Sequence, residues 1–598
     1  MHKKLLSAIL AALILLGMTA YADGGFSDWA AADAAAAIAA GYVPTELQND
    51  GRADITRLEF SHMAIMFIAA LRGTNADKTA EPYGGKPFSD TDDRYITAAY
   101  HMGILNGRGD GTFDPYACIT RQEAAKIITC VYSAYTGSRL FDIPYDLTYA
   151  DTADIAPWAK NYVSLVTAHR LMEGDNNGSF LPFSAYTVEQ SIAVFERLRH
   201  VIYAEENEPA SLDGKNPQIT APLQIRNGEL YNGKYNVILN GVNLGGWLLS
   251  ELWMSPIAYT DESFAYSDAI SVLTQRFGKD KAAELITLYE DSYIREEDFE
   301  LIEKLGFNCI RIPFWYRNFM DEGCNMLTES NDDNPGFKRL DWAIDQCAKH
   351  GIYVILDMHG CPGGQSMSHS TGISGRNELY NNDKNLAAME YLWTEIAKRY
   401  KDNPTVAAYD IMNEPQNNGG YSGERAWTPG SPEAVSLTNA VYDRMLRAIR
   451  RVDSTHIITV EGIWSIDALP DPREVGWDNV MYQLHIYDSN EKDIDGRLSE
   501  LCDTVRKKYN TAALVGEYNN RACERYAAGR YYSLGINRIK WTYKTVNAGY
   551  DSWGLYNKDM ARIDLNTATE QEIRKTFGEN LYTENGFELN LREYNIIK

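Results

Sequence analysis

Two glutamates in matching settings carry the chemistry this sequence offers. Glu414 lies in Tyr409-Asp410-Ile411-Met412-Asn413-Glu414-Pro415-Gln416, where the apolar run from Val406 to Tyr409 leads to a break at Pro415. Glu517 ends Leu514-Val515-Gly516-Glu517, again an apolar run closing on an acid. A carboxyl held at a strand end beside an amide suits proton transfer, and a second such carboxyl makes a working pair. The two are 103 residues apart (517 − 414), so only tertiary structure brings them together.

The elements that must position them follow a regular alternation. From about Asn240, short apolar runs cover 241–244, 308–312, 353–356, 406–411, 457–460, 480–484, 513–515 and 536–541. Amphipathic segments such as 340–350, 386–400, 432–452 and 497–509 lie between them. Eight strand–helix alternations over some 360 residues predict the α/β class and a (β/α)8 TIM barrel, whose active-site residues lie at the C-terminal ends of the strands. Those ends carry Asn243, Arg311, His359, Asn413 with Glu414, Glu461, His485 with Tyr487, Glu517 and Trp541. Arg311, at the end of the second strand, is suited to sit beside Glu517 and keep it ionised. Glu461 reads equally well as a support for the site or as a structural acid.

This set resembles glycoside hydrolase family 5, the cellulase family, from about residue 225 to 560. The motifs are Ile310-Arg311-Ile312-Pro313, Asp357-Met358-His359-Gly360, Asn413-Glu414-Pro415, Leu484-His485-Ile486-Tyr487 and Gly516-Glu517, in order on successive strand ends. The resemblance implies a retaining glycosidase with Glu414 as acid/base and Glu517 as nucleophile, the two carboxyls about 5–5.5 Å apart. It also implies a hydrogen bond from Tyr487 to the nucleophile and Asn413 on the sugar 2-hydroxyl. His485 would adjust Glu414, His359 would bind a sugar hydroxyl, and Trp541 would floor a subsite. No cofactor is implied. His359, Cys361 and His369 make a poor metal site, having no fourth ligand at a sensible spacing.

Gly241-Val242-Asn243-Leu244-Gly245-Gly246-Trp247 with Glu251, and Tyr293–Phe299, is similar to the exo-β-1,3-glucanase branch, in which the acid matching Glu251 contacts the terminal sugar. Where that branch tends to carry a Phe-Asp pair shaping its pocket, this chain has Ser368-His369, which predicts a less closed cleft and oligomers before glucose. The implied substrate is a β-glucan polysaccharide. An exo-β-1,3-glucanase releasing glucose is the alternative, and the rival from another class is a non-catalytic wall protein that only binds polysaccharide. Loss of either glutamate would favour that rival, and both are present.

Composition narrows the partners. At 598 residues the chain exceeds one ordinary domain, and a formal charge of −25 argues against nucleic acid. His2, Lys3 and Lys4, the apolar run 5–16 and Ala20-Tyr21-Ala22 follow the order of a secretory signal peptide over residues 1–22. That run is shorter than the roughly 20 residues a spanning helix needs, so export to the cell surface without a membrane span is expected. Eight scattered cysteines read as buried free thiols.

Residues 23–203 contain a repeat that makes this part a small, mainly α-helical domain. Phe26-Ser27-Asp28 recurs as Phe88-Ser89-Asp90 and loosely as Tyr149-Ala150-Asp151. Each copy closes on a helix entered through Thr56, Thr120 or Thr187, with Glu59 and Glu123 in the capping-box position. The pattern resembles three S-layer homology repeats, which implies cell-wall anchoring through a wall polymer. An arginine at a helix start suits an anion, and Arg57 and Arg121 occupy that place, whereas Val188 stands there in the third copy. The polar stretch 204–222 reads as a linker, 223–598 as the catalytic domain, and 224–239 as a hairpin closing the barrel bottom.

Overall fold

A computed structural model describes residues 25–136, 147–175, 177–207, 212–233, 235–417, 430–462, 465–520, 523–547 and 553–597. The expected signal segment, residues 1–22, lies outside the described residues. The chain divides into two compact units near residue 208.

In the N-terminal unit, helix pairs recur as Ala31–Ala39 with Arg57–Leu71, Arg94–His101 with Arg121–Thr136, and Lys160–Ala168 with Val188–Asn207. The predicted caps form. Thr56 and Glu59 make a reciprocal capping box, and Glu123 Oε2 accepts from the Thr120 amide at 2.9 Å. The segments entering the second helices lock together in a ring. Ile55 N–H donates to Tyr186 C=O at 2.9 Å, Tyr186 N–H to Ile119 C=O at 3.0 Å, and Ile119 N–H to Ile55 C=O at 3.0 Å. The segments that enter three successive long helices thus satisfy one another's backbone groups. The third long helix runs to Asn207 and so takes up the first residues of the expected linker.

The second unit opens with an antiparallel sheet, β1 (Leu223–Arg226), β2 (Glu229–Asn232) and β3 (Tyr235–Val237), one strand more than the expected hairpin. Leu223 and Leu230 pack with Leu239, Cys309, Ile355, Ala408 and Leu514, closing the barrel's N-terminal end. Residues 214–216, read from sequence as linker, are also held on the barrel. Gly214 N–H donates to Lys304 C=O at 3.0 Å, and Asn216 Nδ2 donates to Phe307 C=O at 2.9 Å.

The barrel strands are β4 (Asn240–Asn243), β5 (Cys309–Trp315), β6 (Tyr353–Gly360), β7 (Val406–Asp410), β8 (Ile457–Glu461), β9 (Val480–Ile486), β10 (Ala513–Tyr518) and β11 (Asn537–Lys540). Each pairs in parallel with its neighbour, and β11 closes on β4 through Ile539 opposite Gly241. Strands β5, β6, β7, β8 and β10 are buried along their whole length, which is why they read as unbroken apolar runs. Of the cysteines expected to be buried, Cys309, Cys347 and Cys361 are, whereas the other five are partly or fully exposed.

One buried network ties β7 to the turn before β8. Asp453 Oδ2 accepts from Tyr409 Oη at 2.8 Å and lies 2.7 Å from His456 Nδ1, while Oδ1 accepts from the Thr455 amide at 2.8 Å. Burial opposes the charge, but the His456 and backbone hydrogen bonds outweigh it and hold the carboxyl at about 2. A depressed acid stabilises above its unfolded value and loses that contribution as pH falls through the folded one. Asp453→Asn is therefore expected to cost about 2 kcal/mol at pH 7. The gap from the parent should narrow between about pH 4 and pH 2 in thermal unfolding of the barrel. A constant gap across that range would refute the assignment.

Candidate active site

The strand-end residues converge on Arg311, which is fully buried on β5. Its Nε donates to Asp410 Oδ2 at 2.8 Å, and one terminal nitrogen donates to Glu517 Oε1 at 2.8 Å and Asn243 Oδ1 at 3.0 Å. The other donates to Asn413 Oδ1 at 2.9 Å and lies 3.1 Å from Asp357 Oδ2. Five groups from four strand ends, two of them from the end of β7, share one planar cation, a task for the guanidinium fork and not for a point charge. The opposed carboxylates outweigh burial and raise the Arg311 pKa.

Two register shifts aim the side chains. In β10, Val515 faces Leu484 while Glu517 faces the very next residue, His485, so Gly516 is an extra residue in the ladder. A Cβ at Gly516 would stand 1.8 Å from Gln483 Oε1, so any larger residue there would have to displace the buried Gln483 amide that bonds to Asp410. In β6, Trp315 of β5 faces Gly360 directly after Phe314 faces Met358, which bulges out His359. At the end of β7 the chain turns sharply. Glu414 has φ 38°, a left-handed conformation rare for a side-chain-bearing residue, and its N–H donates to Glu461 Oε2 at 2.7 Å.

The two glutamates meet at one imidazole. His485 Nδ1 lies 3.0 Å from Glu414 Oε1 and 3.4 Å from Glu517 Oε2, so those two oxygens can be no farther apart than the two distances combined. That upper limit lies above the roughly 5–5.5 Å typical of double displacement and just below the roughly 6.5–9.5 Å of inverting pairs, so the spacing argues against inversion. Glu517 Oε2 also accepts from Tyr487 Oη at 2.6 Å. Burial pushes both glutamates above the ordinary value. Arg311 opposes this at Glu517 by direct contact, whereas among the described residues no cation touches Glu414. The proton therefore resides more readily on Glu414. Burial lowers His485 to about 4, so it is neutral at neutral pH.

His359 and Trp541 lie against each other, ring centroids 5.4 Å apart and planes 13° from parallel. Burial works against the His359 cation, but Asp357 at 2.7 Å from Nδ1 outweighs it and raises the pKa. Trp541 is 3% exposed, so it presents less open face than the expected floor of a subsite. Asn413 gives its oxygen to Arg311 and its Nδ2 lies 3.4 Å from His359 Nε2. Glu251 is buried; its Oε2 lies 2.9 Å from His369 Nε2 and accepts from Trp253 Nε1 at 3.0 Å. Phe264 lies 4.2 Å from the His369 ring, so the position expected to be open is walled by an aromatic from another loop.

Sequence reasoning passed over Asp357, Asp410 and Gln483, which surround Arg311; Gln483 Nε2 donates to Asp410 Oδ1 at 2.7 Å. The signal was present, since a charge inside an apolar strand run demands a buried partner. Glu461 proves to be a support, as the acceptor for the Glu414 amide. Among the described residues, Glu414, Glu461 and His485 are the grouping whose potential ligand atoms all lie within 4.8 Å. His359, Cys361 and His369 do not form one.

In the N-terminal unit the two arginines part company. Arg57 is 5% exposed; its Nε donates to Phe113 C=O at 2.9 Å, and a terminal nitrogen pairs with Glu123 Oε1 at 2.8 Å. It also stacks on Phe113, so its guanidinium is engaged by neighbouring protein groups and leaves little open face for the expected anion. Arg121 donates to Phe180 C=O at 2.7 Å and Glu173 C=O at 2.6 Å, but it is only partly buried. It lines a cleft of about 320 Å³ with Trp29, Asp175 and Arg197.

Comparison with known proteins agrees with this geometry. Residues 274–557 match the Cellulase (glycosyl hydrolase family 5) family, and residues 87–125 and 148–185 match the S-layer homology domain. A β-xylosidase of Phanerodontia chrysosporium is 32% identical over 254 residues, which cover 42% of this chain and 48% of the relative. A probable glucan 1,3-β-glucosidase A of Aspergillus fumigatus is 27% identical over 327 residues, 51% of this chain and 73% of the relative. The chain thus spans about half the length of the first relative and about three quarters of the second. The crystal structure of a rutinosidase from Aspergillus niger aligns with a TM-score of 0.43 at 17% identity, covering 53% of this chain and 95% of that one. The barrel strands from β5 to β11 thus lie within the segment 274–557 that matches the glycoside hydrolase family 5 model, and segments 87–125 and 148–185 of the same chain match the S-layer homology domain.

Proposed function

We propose that the chain is a secreted, wall-anchored retaining β-glucan hydrolase, with Glu517 as nucleophile and Glu414 as acid/base. The observation that carries this is the placing of both glutamates on one imidazole nitrogen, with Arg311 and Tyr487 on Glu517 alone. In the first step Glu517 attacks C1 of the sugar as Glu414 gives its proton to the departing glycosidic oxygen. In the second, water attacks C1, its proton passes to Glu414, and the bond to Glu517 breaks. Asn413 would meet the sugar 2-hydroxyl, and Glu251 the terminal sugar.

The ring of hydrogen bonds through Ile55, Ile119 and Tyr186 supports reading residues 23–203 as three S-layer homology copies, the first divergent. Wall-polymer binding is assigned to the cleft beside Arg121. A second reading, exo-β-1,3-glucanase, is favoured by the closed wall of His369, Phe264 and Trp253 around Glu251.

Product profiles on laminarin, carboxymethyl cellulose, mixed-linkage glucan and glucomannan test the substrate. Hydrolysis of at least one is expected. Glucose as the sole early product from laminarin selects the exo reading, oligomers first select an open cleft, and no hydrolysis of any of them overturns the substrate class. The anchoring reading predicts that the full chain pellets with purified wall and that Arg121→Ala weakens this. Undiminished pelleting of a folded Arg121→Ala variant would remove that arginine from the site.

A further inference from the structure

A pocket of about 260 Å³ opens on one side of the catalytic pair. Its described lining includes Glu414, Gln416, His485, Tyr487, Asp488 and Arg497 and does not include Glu517, which His485 and Tyr487 separate from it. In a double displacement the acid/base faces the leaving group and the nucleophile faces the opposite side of C1. A pocket bordered by Glu414 without Glu517 is therefore where the departing group sits, and its volume suits a single sugar ring.

Its walls are made for hydroxyl groups. Asp488 and Arg497 stand side by side, Nε 3.5 Å from Oδ2, with side chains 24% and 30% exposed. That separation is at the far edge of hydrogen bonding, so the pair is held in register without being locked together. Its frame is firm. The Asp488 carbonyl accepts from Asn520 Nδ2 at 2.9 Å, and Arg497 lies 3.5 Å from Glu500, which takes Ser465 Oγ at 2.7 Å and the Ile466 amide at 2.8 Å. Neighbouring sugar hydroxyls offer both donors and acceptors: a carboxylate takes the first and a guanidinium gives to the second. An aromatic leaving group offers neither, and its entry desolvates both charged groups without returning a hydrogen bond to either.

We propose that Asp488 and Arg497 are specificity-determining residues that select a sugar, through a pair of adjacent hydroxyls, as the leaving group. This rests on the assignment of Glu414 as acid/base. By microscopic reversibility the same pocket accepts a sugar that intercepts the glycosyl-enzyme. The acceptor oxygen bonds to C1 as the C1–Glu517 bond breaks, and the acceptor's proton passes to Glu414.

The test compares the full-length parent with Arg497→Met, Arg497→Lys and Asp488→Asn. The substrates are a β-linked oligosaccharide and a 4-nitrophenyl glycoside of the same donor sugar. Arg497→Met and Asp488→Asn should lower kcat/KM on the oligosaccharide by about 10–100-fold, mainly through KM. The nitrophenyl substrate should suffer much less, Arg497→Lys should recover part of the loss, and transfer to an added sugar acceptor should fall while hydrolysis by water persists. Equal losses on both substrates would mean a merely structural pair, and no loss on either would remove these residues from recognition; both results overturn the proposal. A parent inactive on every β-glycoside would overturn the acid/base assignment, and this inference with it.

Discussion

Glu414→Ala and Glu517→Ala should both sharply reduce polysaccharide cleavage, and they should then diverge on an activated aryl glycoside. Loss of the nucleophile is expected to cost on the order of 10⁶ in kcat on any substrate. Loss of the acid is expected to cost about 10²–10⁴ on a polysaccharide and much less in the first step on a leaving group that needs no proton. Added azide should restore turnover to Glu414→Ala by attacking the glycosyl-enzyme, giving a β-azide. In Glu517→Ala, azide would occupy the cavity left by the carboxylate, attack C1 directly and give an α-azide. The asymmetry follows from the contacts: Arg311 and Tyr487 bond to Glu517, and Glu414 is the more exposed, with the backbone strain and the Glu461 support on its side. The opposite azide pattern would exchange the two roles.

Arg311→Lys is the second large effect. It keeps the charge but cannot reach Asp410, Glu517, Asn243, Asn413 and Asp357 together. Removing a partner from a buried ion cluster costs about 3–5 kcal/mol, and leaving a carboxylate unpaired raises its pKa. The variant should therefore unfold at lower temperature, lose about 10²–10³ in kcat, and show the acid limb of its kcat/KM profile moved to higher pH. A variant with parental pH dependence and only lower thermal stability would make Arg311 purely structural. Glu517 would then owe its ionisation to another group.

Much of the barrel was legible because parallel strands buried on both faces leave unbroken apolar runs, and the polar residues ending them stand out. Seven strand-end positions named from sequence, Asn243, Arg311, His359, Asn413, Glu414, His485 and Glu517, meet within one hydrogen-bonded cluster. What stayed hidden depends on distant pairings. Arg57 has the look of a solvent-facing helix start, yet Glu123 and Phe113, more than 50 residues on, enclose it. His369 is 118 residues from Glu251 (369 − 251), and nothing local announces their contact. Glu461 ends its strand like any capping acid until the Glu414 amide is found on it. Arg497 looked like an ordinary residue of an amphipathic helix, and only the closed barrel brings it to the acid/base side.

The central claim is that Glu517 bonds covalently to the sugar while Glu414 handles the proton. It is tested most directly by trapping that bond. A 2-deoxy-2-fluoro β-glycoside with a good leaving group slows both steps, because fluorine destabilises the developing positive charge at C1, and the activated leaving group restores the first step selectively. Peptide mass mapping after this treatment should find one glycosyl unit on the peptide containing Glu517, and the Glu517→Gln protein should carry none. An adduct on Glu414, or no adduct from an active enzyme whose product has inverted anomeric configuration, would contradict the account.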